Sequence, residues 1–305
     1  MLLRALWRGP STHARCYSTK ATRSVPTLPD ATLETFRQHA FEPAVPALLP
    51  QGSQAHIPAV TKWFKQPDAK SRTTRLNARY LSNFKAVIVP LEITNNGDFV
   101  RIENSLGFFL EFVYTSDSTF ILPPATNGTG NPDSSSSAHT IPTARIYIAQ
   151  ASLTDLPTAM RADLPTPELV LKAGKGDVYD SSIWLGQAPT YTPLHRDPNP
   201  NLFVQLAGRK VVRLYEPRAG NAVFSKVQEA IGGSASATMR GEEMMQGKEK
   251  ALLENEVWSG GKGTIGGAWQ AELEAGDALF IPKGWWHSVK GLDEDINGSV
   301  NWWFR

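Results

Sequence analysis

The chain has 305 residues, 41% hydrophobic and 20% charged, with 31 Lys plus Arg against 29 Asp plus Glu and a formal net charge of +2. That composition is globular, with enough apolar material for one large core or two modest ones. No apolar run approaches the roughly eighteen residues of a membrane span, and MLLRALW is too short and too soon interrupted by arginine for a secretory signal. The single cysteine, Cys16, rules out disulfides, zinc–thiolate sites and thiol nucleophiles in the rest of the chain.

Residues 1–29 carry Arg4, Arg8, Arg15, Lys20 and Arg23 and no acid before Asp30. A basic, hydroxylated, acid-free start reads as a mitochondrial transit peptide, with the matrix as the expected compartment and cytosol or nucleus as the alternative. The RCYST stretch suggests processing between Tyr17 and Ser18. Setting those five charges aside leaves 26 basic against 29 acidic residues, a body at −3, so net charge makes no case for nucleic acid. The body, 30–305, divides into a supporting part over 30–143 and a strand-rich core over 144–305, interrupted at about 219–267.

In chain order, DATLETFRQHAF predicts a short amphipathic helix capped by Asp30, with Leu33, Phe36 and Ala40 on its apolar side. The proline-rich EPAVPALLP is a connector or an edge strand. Strands are predicted for AVIVPLEI at 86–93, GFFLEFVY at 107–114 and ARIYIAQ at 144–150, with a projecting polar loop, ATNGTGNPDSSSSAH, at 125–139. DLPTAMRADLP suggests a short helix. SSIWLG, NLFVQL, KVVRLYE, AELEAG, DALFIP and SVNWWFR then continue the strand pattern to the end. Many short strands with Gly or Pro turns argue for an antiparallel sandwich or barrel.

The segment at 219–267 departs from that pattern, being helix-prone in two parts with glycine-rich joints. Its Met239, Met244, Met245, Leu252 and Leu253 read as a helix face packed on the barrel, and GGKGTIGG lacks the spacing of a phosphate-binding loop. Asn127 and Asn297 match a glycosylation pattern but read more simply as turn residues.

Chemistry concentrates in TPLHRD, residues 192–197. Residues two apart in a strand share a face, so His195 and Asp197 can offer one imidazole nitrogen and one carboxylate oxygen to a single ion. His287, at the end of GDALFIPKGWWH, supplies a third candidate. Two histidines and one carboxylate leave three coordination positions open, which suits a non-haem Fe(II) that takes a co-substrate and O2. Lys210, just after the Ala207–Gly208 turn, can point into the barrel, where a buried ammonium needs an anion.

TPLHRD, Asn201, GRK at 208–210, GDALFIPKGWWH at 276–287 and VNWW at 300–303 occur in the order found in JmjC-type, cupin-like oxygenases. The chain resembles the small hydroxylase branch of that family, similar to the asparaginyl hydroxylase of hypoxia-inducible factor and the wybutosine hydroxylase of tRNA. The resemblance spans 144–305 at the level of motifs and extends more loosely back to residue 30. It implies a mainly β, double-stranded β-helix (a jelly-roll or cupin barrel) with N-terminal helices and strands and a helical insertion. It also implies that His195, Asp197 and His287 hold Fe(II). Lys210, helped by Thr192 and Tyr147, would bind the distal carboxylate of 2-oxoglutarate. Asn201 and Asn301 would lie near the co-substrate carboxylates, and Trp303 beside the metal. Trp285, Trp286 and Trp302 read as packing.

With 2-oxoglutarate and O2 as co-substrates, the implied reaction hydroxylates a substrate carbon and releases succinate and CO2. A protein side chain is the expected target, and an RNA nucleoside the alternative. DNA and membranes are not expected partners, and a homodimer accords with the resemblance. The leader and the lack of a recognisable chromatin-reading module speak against histone demethylation. Two other readings stand beside these: a non-catalytic binding scaffold, whose signature would be a lost ligand or lysine, and a different cupin metalloenzyme, which would need more histidines in the matching strands than the six of the whole chain provide.

Overall fold

The computed structural model describes residues 22–65, 67, 73–95, 98–115, 144–233, 245–259, 265–292 and 296–305. Short strands β1 (Arg23–Ser24), β2 (Ala47–Leu48), β3 (Phe64–Lys65) and β4 (Arg75–Leu76) lead into a long antiparallel pair, β5 (Ile88–Asn95) and β6 (Asp98–Ser105). After β7 (Arg145–Ser152) come the eight strands of the core. These are β8 (Val178–Gln187), β9 (Tyr191–Arg196), β10 (Asn201–Ala207), β11 (Lys210–Tyr215), β12 (Trp269–Leu273), β13 (Ala278–Ile281), β14 (Trp286–Gly291) and β15 (Ile296–Phe304).

They form two sheets. One has the order β1-β12-β11-β14-β9 and the other β2-β13-β10-β15-β8-β7-β5-β6, while β3 and β4 pair separately. The chain passes between the sheets at β8–β9, β9–β10, β10–β11, β12–β13, β13–β14 and β14–β15, which is the winding of a jelly roll, and the two sheets face each other without closing into one barrel. The expected double-stranded β-helix is therefore present.

Alternation along the strands sorts side chains to two sides of the larger sheet. Leu202, Val204 and Leu206 of β10 and Val300, Trp302 and Phe304 of β15 enter the largest apolar cluster, together with Phe36, Trp63, Phe109 and Ile148 from the supporting part. The opposite side holds Asn201, Phe203, Gln205, Ser299 and Asn301, between the sheets. Part of that interior is filled by Phe203, Val212, Leu214, Leu279, Ile281, Trp285 and Val289, and the rest is the polar cavity described below.

The 219–267 segment contributes two helices, Pro217–Ile231 and Gly247–Trp258. Val223, Phe224, Val227 and Leu253 pack on Leu194, Tyr215 and Trp286, on the outer face of the sheet formed by β9, β14 and β11. Leu252 joins the same cluster, whereas Met239 and Met244 lie outside the described residues.

Several expectations need correction. GFFLEFVY is not a strand but most of the helix Leu106–Thr115. Leu106, Phe109, Leu110 and Val113 recur at a spacing of three and four and, with Phe112, pack one side of the helix on the core, and Ser105 Oγ caps the start by accepting from Phe108 N at 3.1 Å. Thr32, not Asp30, caps the first helix, its hydroxyl accepting from Thr35 N at 3.3 Å, while Asp30 accepts from Thr32. Residues 23–28, read with the leader, belong to the packed body: β1 runs parallel to β12, and Val25 and Leu28 are buried. Asn297 is not a turn residue. It sits buried in β15, donating to the Arg209 carbonyl at 2.6 Å. The polar loop at 125–139, the proposed processing point and the rest of residues 1–21 lie outside the described residues.

Candidate metal centre

His195 is the fifth residue of β9, Asp197 follows the strand directly, and His287 is the second residue of β14, where it pairs with His195 across the sheet. Gly284, with φ of 78°, makes the turn that delivers β14 to this register. The two imidazole centroids lie 4.2 Å apart. His195 Nε2 is 3.8 Å from Asp197 Oδ1, and His287 Nε2 is 3.6 Å from Asp197 Oδ2. One ligand atom from each residue fits within 4.8 Å of the others.

Hydrogen bonds fix the state of these groups. His195 Nδ1 lies 2.9 Å from the Pro193 carbonyl and His287 Nδ1 3.3 Å from the Trp285 carbonyl. A carbonyl only accepts, so both Nδ1 atoms carry the proton and both Nε2 lone pairs are left for an ion. Asp197 Oδ2 accepts from Trp303 Nε1 at 2.7 Å and Asn201 Nδ2 at 3.1 Å, which orients the carboxylate and leaves Oδ1 without a protein donor among the described residues. Burial alone would raise the Asp197 carboxyl. His287, His195 and the two donors outweigh it and hold the group below its ordinary value. Burial, reinforced by His195, pushes His287 down to about 4, so it is neutral at pH 7. Two imidazoles with their Nε2 atoms free and a carboxylate, all buried and facing one point, fit a divalent iron.

Deeper in the same cavity Lys210 is buried. Its amine donates to Ser299 Oγ at 2.7 Å and Tyr147 Oη at 3.2 Å. Burial pushes its pKa down to about 7, with no carboxylate among the described residues placed to offset it. Burial also raises the Tyr147 phenol, which stays protonated and able to donate. An ammonium flanked by hydroxyls in a buried cavity is a seat for a carboxylate. Asn201 Oδ1 accepts from Asn301 Nδ2 at 3.0 Å, and Asn301 Oδ1 meets no donor among the described residues.

Every site residue taken from the sequence lines this cavity: His195, Asp197, His287, Lys210, Thr192, Tyr147, Asn201, Asn301 and Trp303. Thr192 reaches it through an irregularity. Between β9 and β14, His195 pairs with His287 but Thr192 pairs with Val289, so Pro193 and Leu194 together oppose Ser288. This bulge turns both Thr192 and His195 inward, where strict alternation would separate them, and sends Leu194 out to the helical insertion.

Ser299, Trp184, Phe203, Val289 and Gln150 also line the cavity and were not singled out from sequence. Ser299 was legible, since it lies two residues before Asn301 in β15 and shares its face. Gln150 was not: a break in the β7–β8 register and a φ of 58° place it there. It also borders an open cleft of about 330 Å³ beside Asp197, walled by Tyr179, Asp180, Arg196, Pro198 and Trp303.

The Cupin-like domain family matches residues 33–305. Lysine-specific demethylase JMJ30 of Arabidopsis thaliana is 25% identical over 279 residues, covering 89% of this chain and 53% of that protein. Lysine-specific demethylase 8 of Xenopus tropicalis is 25% identical over 285 residues, 92% of this chain and 53% of that protein. Jumonji C domain-containing protein 5 of Drosophila melanogaster is 25% identical over 286 residues, 92% of this chain and 60% of that protein. The chain thus spans about half the length of these relatives. Family match, jelly-roll topology and the His-Asp-His cavity agree, and the chain belongs to the cupin-like JmjC family of iron- and 2-oxoglutarate-dependent oxygenases.

Proposed function

We propose that this chain hydroxylates a protein side chain, using Fe(II), O2 and 2-oxoglutarate. The observation that carries the reading is Lys210, a buried amine with hydroxyl partners and no ion-pair partner among the described residues, in one cavity with the His-Asp-His set. With both bound, iron and 2-oxoglutarate supply the oxidising power to insert one oxygen atom of O2 into a C–H bond, the other going into succinate as CO2 leaves.

The residues of the chain do the rest. Lys210, Tyr147, Thr192 and Ser299 hold the distal carboxylate of the co-substrate and set its depth. Asn201 and Trp303 fix the Asp197 carboxylate, and the two backbone carbonyls hold the imidazoles in their ligating tautomer. Phe203, Val289 and Trp184 keep the inner end of the cavity apolar and exclude water. The substrate side chain enters by the open cleft beside Asp197, which suits a residue presented on a larger molecule.

Oxidation of an N-methyl carbon is the same chemistry, and the names of two relatives favour methyl-lysine as a second target class. Because those proteins are about twice as long, target choice can reside in parts this chain does not match. Mitochondrial matrix proteins are the first substrates to screen, given the basic leader.

The test is anaerobic calorimetric titration of 2-oxoglutarate into Fe(II)-loaded protein, with His195→Ala as control. Metal-dependent binding that disappears in the variant is expected. Well-folded, iron-loaded wild type that binds no 2-oxoglutarate would sink the reading in favour of a scaffold.

A further inference from the structure

The bulge that brings Thr192 into the cavity is pinned from outside by the helical insertion. Ser288, fully buried, occupies the β14 position skipped in the pairing with β9. Its hydroxyl donates to the Thr192 carbonyl at 2.8 Å, the backbone acceptor beside the bulge. Ser288 Oγ in turn accepts from Trp258 Nε1 at 3.0 Å. Trp258 is the last residue of the helix Gly247–Trp258, and its ring is held by Arg213, whose guanidinium carbon lies 4.7 Å from the ring centroid. The same guanidinium donates to the Val257 carbonyl at 2.6 Å, closing the helix C-terminus onto β11. Two directed hydrogen bonds in series thus run from the insertion to the backbone of a cavity residue, while Thr192 presents its side chain to the opposite side.

We propose that Trp258 is a positioning residue. Acting through Ser288, it fixes the backbone of Thr192 and so aims the Thr192 hydroxyl at the distal carboxylate of the co-substrate. This rests on the reading of the cavity as a 2-oxoglutarate site. It gives the 219–267 insertion a part in co-substrate affinity, although no residue of its two helices lines the metal cavity. Each metal ligand also has contacts of its own: His195 and His287 bond to the carbonyls of Pro193 and Trp285, and Asp197 to Asn201 and Trp303, so loss of the Trp258 contact should bear on Thr192 before it bears on the ion's ligands.

Trp258→Phe keeps an aromatic ring against Arg213 while removing the N–H together with the second ring of the indole. The expected result is a 2-oxoglutarate Kd raised about tenfold by calorimetry on the full Fe(II)-loaded chain, with Fe(II) affinity unchanged within about twofold. Lys226→Gln breaks another contact of the same helix, the 2.6 Å ion pair to Glu256, and should leave the 2-oxoglutarate Kd unaltered. The decisive arm is a cycle with Thr192→Ala. If Trp258 acts through the Thr192 hydroxyl, Trp258→Phe adds nothing in that background. Additive losses, equal losses from Lys226→Gln and Trp258→Phe, iron affinity falling in parallel, or a wild-type Kd in Trp258→Phe would each overturn the proposal. A wild type that binds iron but no 2-oxoglutarate would remove the reading it rests on, and the proposal with it.

Discussion

The two sides of the larger sheet are built from the same strands to opposite ends. On β10 and β15 the residues turned toward the supporting part are Leu202, Val204, Leu206, Val300, Trp302 and Phe304. Those turned between the sheets include Asn201, Gln205, Ser299 and Asn301. Both sets are almost wholly buried, so exposure does not separate them. Their function does: one side holds the fold together by apolar burial, and the other keeps polar groups dry and aimed at one another. The sheet is therefore a wall whose stability and chemistry can be changed independently.

The largest effect expected from breaking that division is on the apolar side. Trp302→Ala empties a fully buried position beside Phe304 and should cost about 3–5 kcal/mol in chemical denaturation. Residual folded protein should keep its metal affinity if the two sides are independent.

On the polar side the opposite sign is expected. Lys210→Met removes a buried amine of similar shape, abolishing co-substrate binding while stabilising the ligand-free protein. The Lys210 pKa is depressed to about 7 in the fold from an ordinary 10.5, so the unfolded chain binds more protons between those values. Wild-type stability should then rise from pH 7 to pH 10.5, by up to about 5 kcal/mol from this group, and the advantage of Lys210→Met should shrink over the same window. An advantage independent of pH would show that the amine is not held in the neutral form. Saturating 2-oxoglutarate should flatten the wild-type slope by pairing the ammonium.

How much of this was legible follows from which periodicities survive in the sequence. The core strands β8, β10, β11, β12, β13 and β15 read correctly because turns punctuate them and apolar runs fit buried strands, whereas β14, which carries His287, was not marked as a strand. The histidine and aspartate ligands were found because a strand places i and i+2 together. Thr192 was assigned by resemblance, since the bulge at Pro193–Leu194 breaks the alternation from which its direction would otherwise be read. The helix Leu106–Thr115 was misread because Phe, Tyr and Val favour strands, while its three-and-four spacing, set by packing against the β5–β7 part of the sheet, carried the stronger signal. Ser288 gave no signal at all, because its partners are an indole 30 residues away and a carbonyl 96 residues away.

A smaller perturbation tests how firmly the insertion is seated. A Cβ on Gly220 would lie 2.2 Å from the Trp286 ring, which is fully buried next to His287. Gly220→Ala should lose about 1–3 kcal/mol to that overlap despite alanine's better helix propensity, with Tm the readout. The smallest effect belongs to the first helix, far from the cavity. Thr32→Ala removes its cap and should cost about 1 kcal/mol in denaturant titrations, without altering ligand binding.

The two-residue strand Arg23–Ser24 also acts as a gasket. It lies along β12, at the rim of the smaller sheet, where Arg23 N and Val25 N bond to the carbonyls of Ala268 and Gln270 at 2.9 Å. Without it, β12 would offer a row of unused backbone groups beside the pocket of Val25, the kind of open border on which a second polypeptide can zip. A chain shortened to begin at residue 22 keeps that border closed, whereas one shortened to begin at residue 30 loses the strand and opens it.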